Sequence, residues 1–134
     1  MKKFSPAPAD VFKAFSDQTR IRILRLLSLA KDEMCSCELV DSLLEPEYKI
    51  SRHIKILKSA GLITAVKDGK WVYHGLVEDE SYQKLLQRVV IELPDQDGVY
   101  KSDFKRFKKR IKLRNKGRCV MGAQYQTVQT QEAV

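Results

Sequence analysis

No run of about 18 apolar residues occurs in this 134-residue chain, so nothing in it is expected to span a membrane. The start, Met1-Lys2-Lys3-Phe4-Ser5-Pro6, does not lead into the apolar stretch of a signal peptide, which points to a cytoplasmic protein. No internal repeat and no organic-cofactor motif is visible. Cysteine is scarce: the count of three leaves one thiol over under any internal pairing. In a reducing compartment, thiols close together more often mark metal or redox chemistry than a structural disulfide. A thiol enzyme is not expected, because no Cys-x-x-Cys occurs and only Glu33 and Glu38 lie near the thiols as candidate acid–base groups.

Positive charge, by contrast, is plentiful and unevenly spread. Residues 101–118 hold ten Lys/Arg against Asp103 alone, a net of +9, and the whole chain carries +8, so the remainder sums to −1. Within that remainder, Lys49, Arg52, Lys55, Lys58, Lys67 and Lys70 face only Asp68 between residues 48 and 71. Two basic zones on a small soluble chain are most simply explained by a nucleic-acid partner.

The length fits one compact unit, read here as residues 1–94 followed by a basic extension, 95–134, partly helical and then disordered. Residues 1–8 are expected to be loose, and Ala9 to Phe15 to form a short helix. Asp17 can cap a second helix from Gln18 to about Leu29, whose Ile21, Ile23, Leu24, Leu26 and Leu27 make a wide apolar stripe. Arg20, Arg22 and Arg25 then fall on a solvated face. After Lys31-Asp32-Glu33 come Cys35-Ser36-Cys37, a helix from Cys37 to Leu44, a break at Glu45-Pro46-Glu47, and a helix from Tyr48 to Ala60 that Gly61 stops.

Two helices joined this tightly form a helix-turn-helix, whose second helix enters the major groove. Lys49, Ser51, Arg52, His53 and Lys55 are the candidate DNA-facing residues. Leu62 to Lys67 and Lys70 to Leu76 alternate as strands around Asp68-Gly69, the composition of a two-residue type I′ turn. The hairpin makes the unit a winged helix, mostly α, with Lys67 and Lys70 at the wing tip facing phosphates. His74 is expected at the strand surface. A helix from Asp79 or Ser81 to about Leu93 carries Tyr82, Leu85, Leu86, Val89 and Val90, more apolar than a solvent face requires, and suggests a two-fold dimer through the terminal helices. Ser102 to about Leu113 forms a last helix that is a solvated face, a packing element or a clamp on flanking DNA.

Phe15-Ser16-Asp17-Gln18-Thr19-Arg20, Ile50-Ser51-Arg52-His53-Ile54, Ala60-Gly61-Leu62-Ile63 and the Asp68-Gly69 wing together resemble the ArsR family of metalloregulatory repressors over residues 12–76. The Cys-x-Cys at 35 and 37 resembles its arsenical-sensing branch, although Val40 stands where some relatives carry a further thiol. The resemblance implies a homodimer that binds an inverted-repeat operator in double-stranded DNA and leaves it when trivalent arsenic or antimony binds. Such an ion prefers three sulfurs. Cys35 and Cys37 supply two, and Cys119 is the remaining one in the chain, arriving from the same subunit or its partner unless a small cellular thiol replaces it. A redox or persulfide sensor using the same thiols is the alternative. On a helix, positions i and i+2 stand about 200° apart. Both sulfurs cannot then meet one small ion, so ligand binding has to hold Cys35 to Cys37 in a non-helical turn, fraying the first turn of that helix and shifting the reading helix.

Overall fold

Asp17 caps the first long helix. The computed structural model describes residues 6–125. In it the Asp17 carboxylate accepts the Arg20 backbone N–H at 3.1 Å, and helix α2 runs over Gln18–Ala30 behind a short α1, Pro8–Ala14. Burial works against the Asp17 charge, but the Arg20 N–H and the charges of His53 and Arg20 hold the carboxyl below its ordinary range. The cap contribution is therefore present at neutral pH and lost as pH falls through that lowered value. Asp17→Ala is expected to lower stability by about 1 kcal/mol, read as an earlier urea midpoint at unchanged slope. An unmoved midpoint would show that the cap contributes nothing.

Ile23, Leu24, Leu26 and Leu27 of α2 are buried and form the middle of the core. Arg20, Arg22 and Arg25 are not solvated as expected, because α1 and the later helices pack over the polar side of α2. Arg22 grips Asp103 with two hydrogen bonds of 2.8 and 2.9 Å and donates to the Leu43 carbonyl at 2.7 Å. Arg25 donates to the carbonyls of Val90 and Ile91 at 2.7 and 2.6 Å and lies 4.6 Å over the Tyr100 ring. Arg20 donates to the Ala14 carbonyl at 2.8 Å.

Two further helices, α3 (Ser36–Leu43) and α4 (Glu47–Ser59), make the helix-turn-helix. Leu44, with φ 54°, ends α3 in the left-handed region, and Pro46 opens α4 with no side-chain cap bond. Ile50, Ile54 and Leu57, at i, i+4 and i+7, hold α4 on the core and leave Ser51, Arg52, Lys55 and Lys58 outside.

Strands β2 (Ile63–Asp68) and β3 (Trp71–Leu76) pair antiparallel from Ile63↔Leu76 to Asp68↔Trp71, forming the wing. The loop is therefore Gly69-Lys70, one residue later than the spacing predicts. Gly69 (φ 63°) has positive φ and Lys70 does not, the pattern of a type II′ turn rather than I′. A two-residue strand β1, Met34–Cys35, adds to the other edge of β3, pairing Met34 with His74 and Cys35 with Tyr73. It is too short to show a period. It makes β3 the central strand and buries His74, which the sequence reading places at the surface.

Two further helices follow, α5 (Ser81–Glu92) and α6 (Val99–Ile111). Helix α6 packs on α2 and α3 and buries Phe107, Asp103 and Arg110, so residues beyond 94 join the same core as those before it. The disorder expected at both ends of the chain falls largely on residues 1–5 and 126–134, outside the described residues. Among the described residues, no helix is long and apolar enough to cross a membrane.

Candidate thiol site and nucleic-acid interface

Cys35 is the last residue of β1 and the extended residue in front of α3 (φ −79°, ψ 160°), while Cys37 is the second residue of that helix. The helix starts between them. The argument that i and i+2 must point apart therefore does not apply, and the two sulfurs converge without unwinding. Cys119 arrives from the segment after α6. Its sulfur lies 2.50 Å from that of Cys35, to which the structure joins it, and 3.9 Å from that of Cys37. All three sulfurs lie within 4.8 Å of one another, and all three residues are buried. Within one chain, then, Cys119 lies beside Cys35 and Cys37.

Two acids on α3 bring it there. Glu38 is fully buried and accepts two 2.6 Å hydrogen bonds from Arg114, while its Oε1 also accepts the Cys35 N–H at 3.1 Å. Asp41 accepts from Arg110 at 2.6 Å and from the N–H groups of Gln124 and Tyr125 at 2.8 Å. Arg110 donates onward to the Met121 carbonyl at 2.7 Å, and the Cys119 N–H donates to the Tyr73 hydroxyl at 2.9 Å. The segment 114–125 is thereby fastened over α3. Sequence reasoning sees Glu38 only as an acid near the thiols and gives Asp41, Arg110 and Arg114 no role. The signal was present in the arginines at 106, 110 and 114, every fourth position in a segment whose other cations are mostly lysine.

Trp71, Tyr73 and Ala123 wall the thiols. Burial pushes the Cys37 thiol up to about 11; the Arg110 charge opposes this, and those of Glu38 and Asp41 reinforce it. Cys37 is therefore protonated at neutral pH, beside the Arg110 guanidinium, whose Nη1 is buried with no partner among the described residues. His74 stays neutral as well: burial, helped by Lys58, pushes it down to about 4, and its Nε2 lies 3.0 Å from the Ser36 hydroxyl.

On the outer face of α4, Arg52 and Lys55 are exposed. Ser51 is exposed with its hydroxyl on Glu47 at 3.3 Å, and Lys49 is half-buried in an ion pair with Glu45 at 3.0 Å. Lys67 and Lys70 are exposed at the wing, with the Lys70 amine 5.1 Å over the Trp71 ring. His53 is placed differently from the sequence reading. It is buried, three residues on from Ile50 and on the same inward stripe, where its Nδ1 accepts Arg20 Nη1 at 3.2 Å. Burial holds it below its ordinary value, with Asp17 opposing and Arg20 adding to the effect. Elsewhere, Phe12, Tyr82, Leu85 and Val89 stay exposed on α1 and α5 and form one apolar face.

The sequence model of the family described as "Bacterial regulatory protein, arsR family" matches residues 17–65. An uncharacterized HTH-type transcriptional regulator of Methanocaldococcus jannaschii is 44% identical over 79 residues, which cover 59% of this chain and 86% of that protein. The arsenical resistance operon repressor of Escherichia coli is 42% identical over 69 residues, 52% of this chain and 58% of that one. A cadmium resistance transcriptional regulatory protein CadC homolog of Staphylococcus aureus is 36% identical over 83 residues, 62% and 67% of the two chains. The chain thus spans about half to three fifths of the length of the arsenic-resistance relatives it matches.

Proposed function

This chain belongs to the arsR family of bacterial regulatory proteins, transcriptional regulators rather than enzymes, and from that premise we propose a repressor that leaves its operator when trivalent arsenic or antimony binds Cys35, Cys37 and Cys119. The observation that carries the reading is the meeting of three buried sulfurs within 4.8 Å. Thiolates select soft ions, and three of them match a trivalent metalloid better than zinc, which takes four ligands.

Proton balance favours the metalloid further. Arsenous acid carries three hydroxyl groups. Each leaves as water with the proton of one reduced thiol, three As–S bonds replace three As–O bonds, and the product is neutral with no net proton released. A divalent cation must expel the thiol protons into water and leaves a net negative centre in the buried site. Cys37, held protonated to about pH 11, penalises the second course and not the first. Arsenite capture by the fully reduced protein is therefore expected to be flat between about pH 6 and 8.5, followed through Trp71, the single tryptophan, which packs on the thiols. Cadmium capture is expected to strengthen about tenfold per pH unit from the Cys37 proton alone. Equal steepness for both ions would defeat the reading.

In this reading Ser51, Arg52 and Lys55, with Lys49 beside them, meet the major groove, and Lys67 and Lys70 of the wing meet phosphates. The apolar face of Phe12, Tyr82, Leu85 and Val89 receives a second copy of the chain, so that two reading helices match an inverted repeat. A redox reading is favoured by one observation, the joining of Cys35 to Cys119. There, peroxide takes two electrons and two protons from the pair and leaves as water. Release of DNA by peroxide and not by arsenite would establish it.

A further inference from the structure

A second basic projection stands beside the wing. Asn115 and Arg118 pair as an isolated antiparallel bridge, with N–H to carbonyl bonds of 2.9 Å and 3.1 Å in the two directions. Between them, Lys116 (φ 54°) and Gly117 (φ 75°) both have positive φ, the pattern of a tight two-residue reverse turn. Arg118 fixes this turn against the wing. Its Nη2 lies 2.6 Å from the Asp68 carboxylate at the end of β2, and its guanidinium carbon lies 4.3 Å over the Tyr73 ring of β3. Lys67, Lys70, Lys116 and Arg118 are all exposed, and against them stands Asp68, itself held by Arg118.

We propose that the turn Asn115–Arg118 is a second DNA-contacting finger, with Lys116 and Arg118 lying on backbone phosphates next to those met by the wing. The inference rests on the repressor reading above and extends its interface to a segment outside the matched residues 17–65. Lys116 supplies a point charge and Arg118 a planar fork, and both suit a phosphate oxygen. The turn also places a DNA contact one residue from a ligand sulfur. Cys119 follows Arg118, and its N–H is held by the same Tyr73 that Arg118 covers. A ligand that repositions Cys119 therefore acts on a phosphate contact directly, without passing through α3 and α4.

The test is the salt dependence of binding, using the full chain and a duplex selected by the wild-type protein from a random-sequence pool. Each phosphate contact contributes about 0.9 to the slope of log affinity against log salt, so Lys116→Ala/Arg118→Ala is expected to lower it by about 2 per protomer. The charge-retaining Lys116→Arg/Arg118→Lys is expected to keep the slope. A lowered slope in that variant too would overturn the inference, since the effect would then be structural. Arg52→Ala separates this inference from its premise. An unchanged slope in the alanine pair with a lowered slope in Arg52→Ala overturns the second finger and leaves the reading helix standing. An unchanged slope in both overturns both.

Discussion

Cys119→Ser protein is expected to hold its duplex as firmly as the wild type and to ignore arsenite, while arsenite weakens the wild-type complex by roughly 10- to 100-fold. Without Cys119, a bound arsenic would keep one hydroxyl group among Trp71, Tyr73 and Ala123, a polar group set in a largely apolar wall. Serine oxygen is too hard a ligand to replace the sulfur. Cys35→Ser and Cys37→Ser are expected to be equally unresponsive. None of the three side chains lies on the outer face of α4 or at the wing tip, so duplex affinity should be preserved. Fluorescence anisotropy of a labelled duplex reads both quantities, and a phosphine reductant keeps foreign thiols out of the assay. A full arsenite response in Cys119→Ser would show that the third sulfur is not the one that the tail delivers.

The second large effect lies beneath the thiols. Arg114→Ala is expected to cost about 3–5 kcal/mol of stability, because it strands a buried carboxylate. Glu38 is wholly inaccessible, and Arg114 is its bidentate partner through two 2.6 Å hydrogen bonds. Urea unfolding of the reduced protein measures the loss. The doubly apolar Glu38→Met/Arg114→Met variant buries no charge and is expected to lie nearer the wild type than either single change. An Arg114→Ala midpoint equal to that of the wild type would mean that the pair fastens nothing. The Cys35 N–H also rests on Glu38, so the single variant should loosen the thiol site along with the fold.

Sequence periodicity revealed the long helices because their apolar residues recur over several turns. Helix α2 begins at its Asp17 cap and α4 carries Ile50, Ile54 and Leu57 inward, each within a residue or two of expectation. The same reasoning set His53 on the wrong side of α4, since histidine suits a groove and a helix interior equally well. Only its register with Ile50 and the nearby Arg20 decides the matter. Strand β1 is two residues long and therefore has no period to read. The sequence alone leaves open whether Cys119 meets Cys35 and Cys37 within one chain. Their convergence depends on Arg110 and Arg114 meeting acids some seventy residues earlier, at separations of 69 and 76, and pairings at that range leave no local mark. The lysines around those arginines hid them, because a cation that faces water and one that faces a buried acid look alike in composition.

The two ends of the sulfur cluster are separated by 84 residues of chain. Translation therefore completes the helix-turn-helix and the wing well before it reaches Cys119, so Cys35 and Cys37 are made long before the residue that joins them. Any event that cuts the chain ahead of Arg114 removes Cys119 and the partner of Glu38 together. Glu38 would then be buried without its cation, so such a chain is expected to come apart rather than persist as a shortened fold, and the sulfur cluster and the scaffold are lost by the same cut.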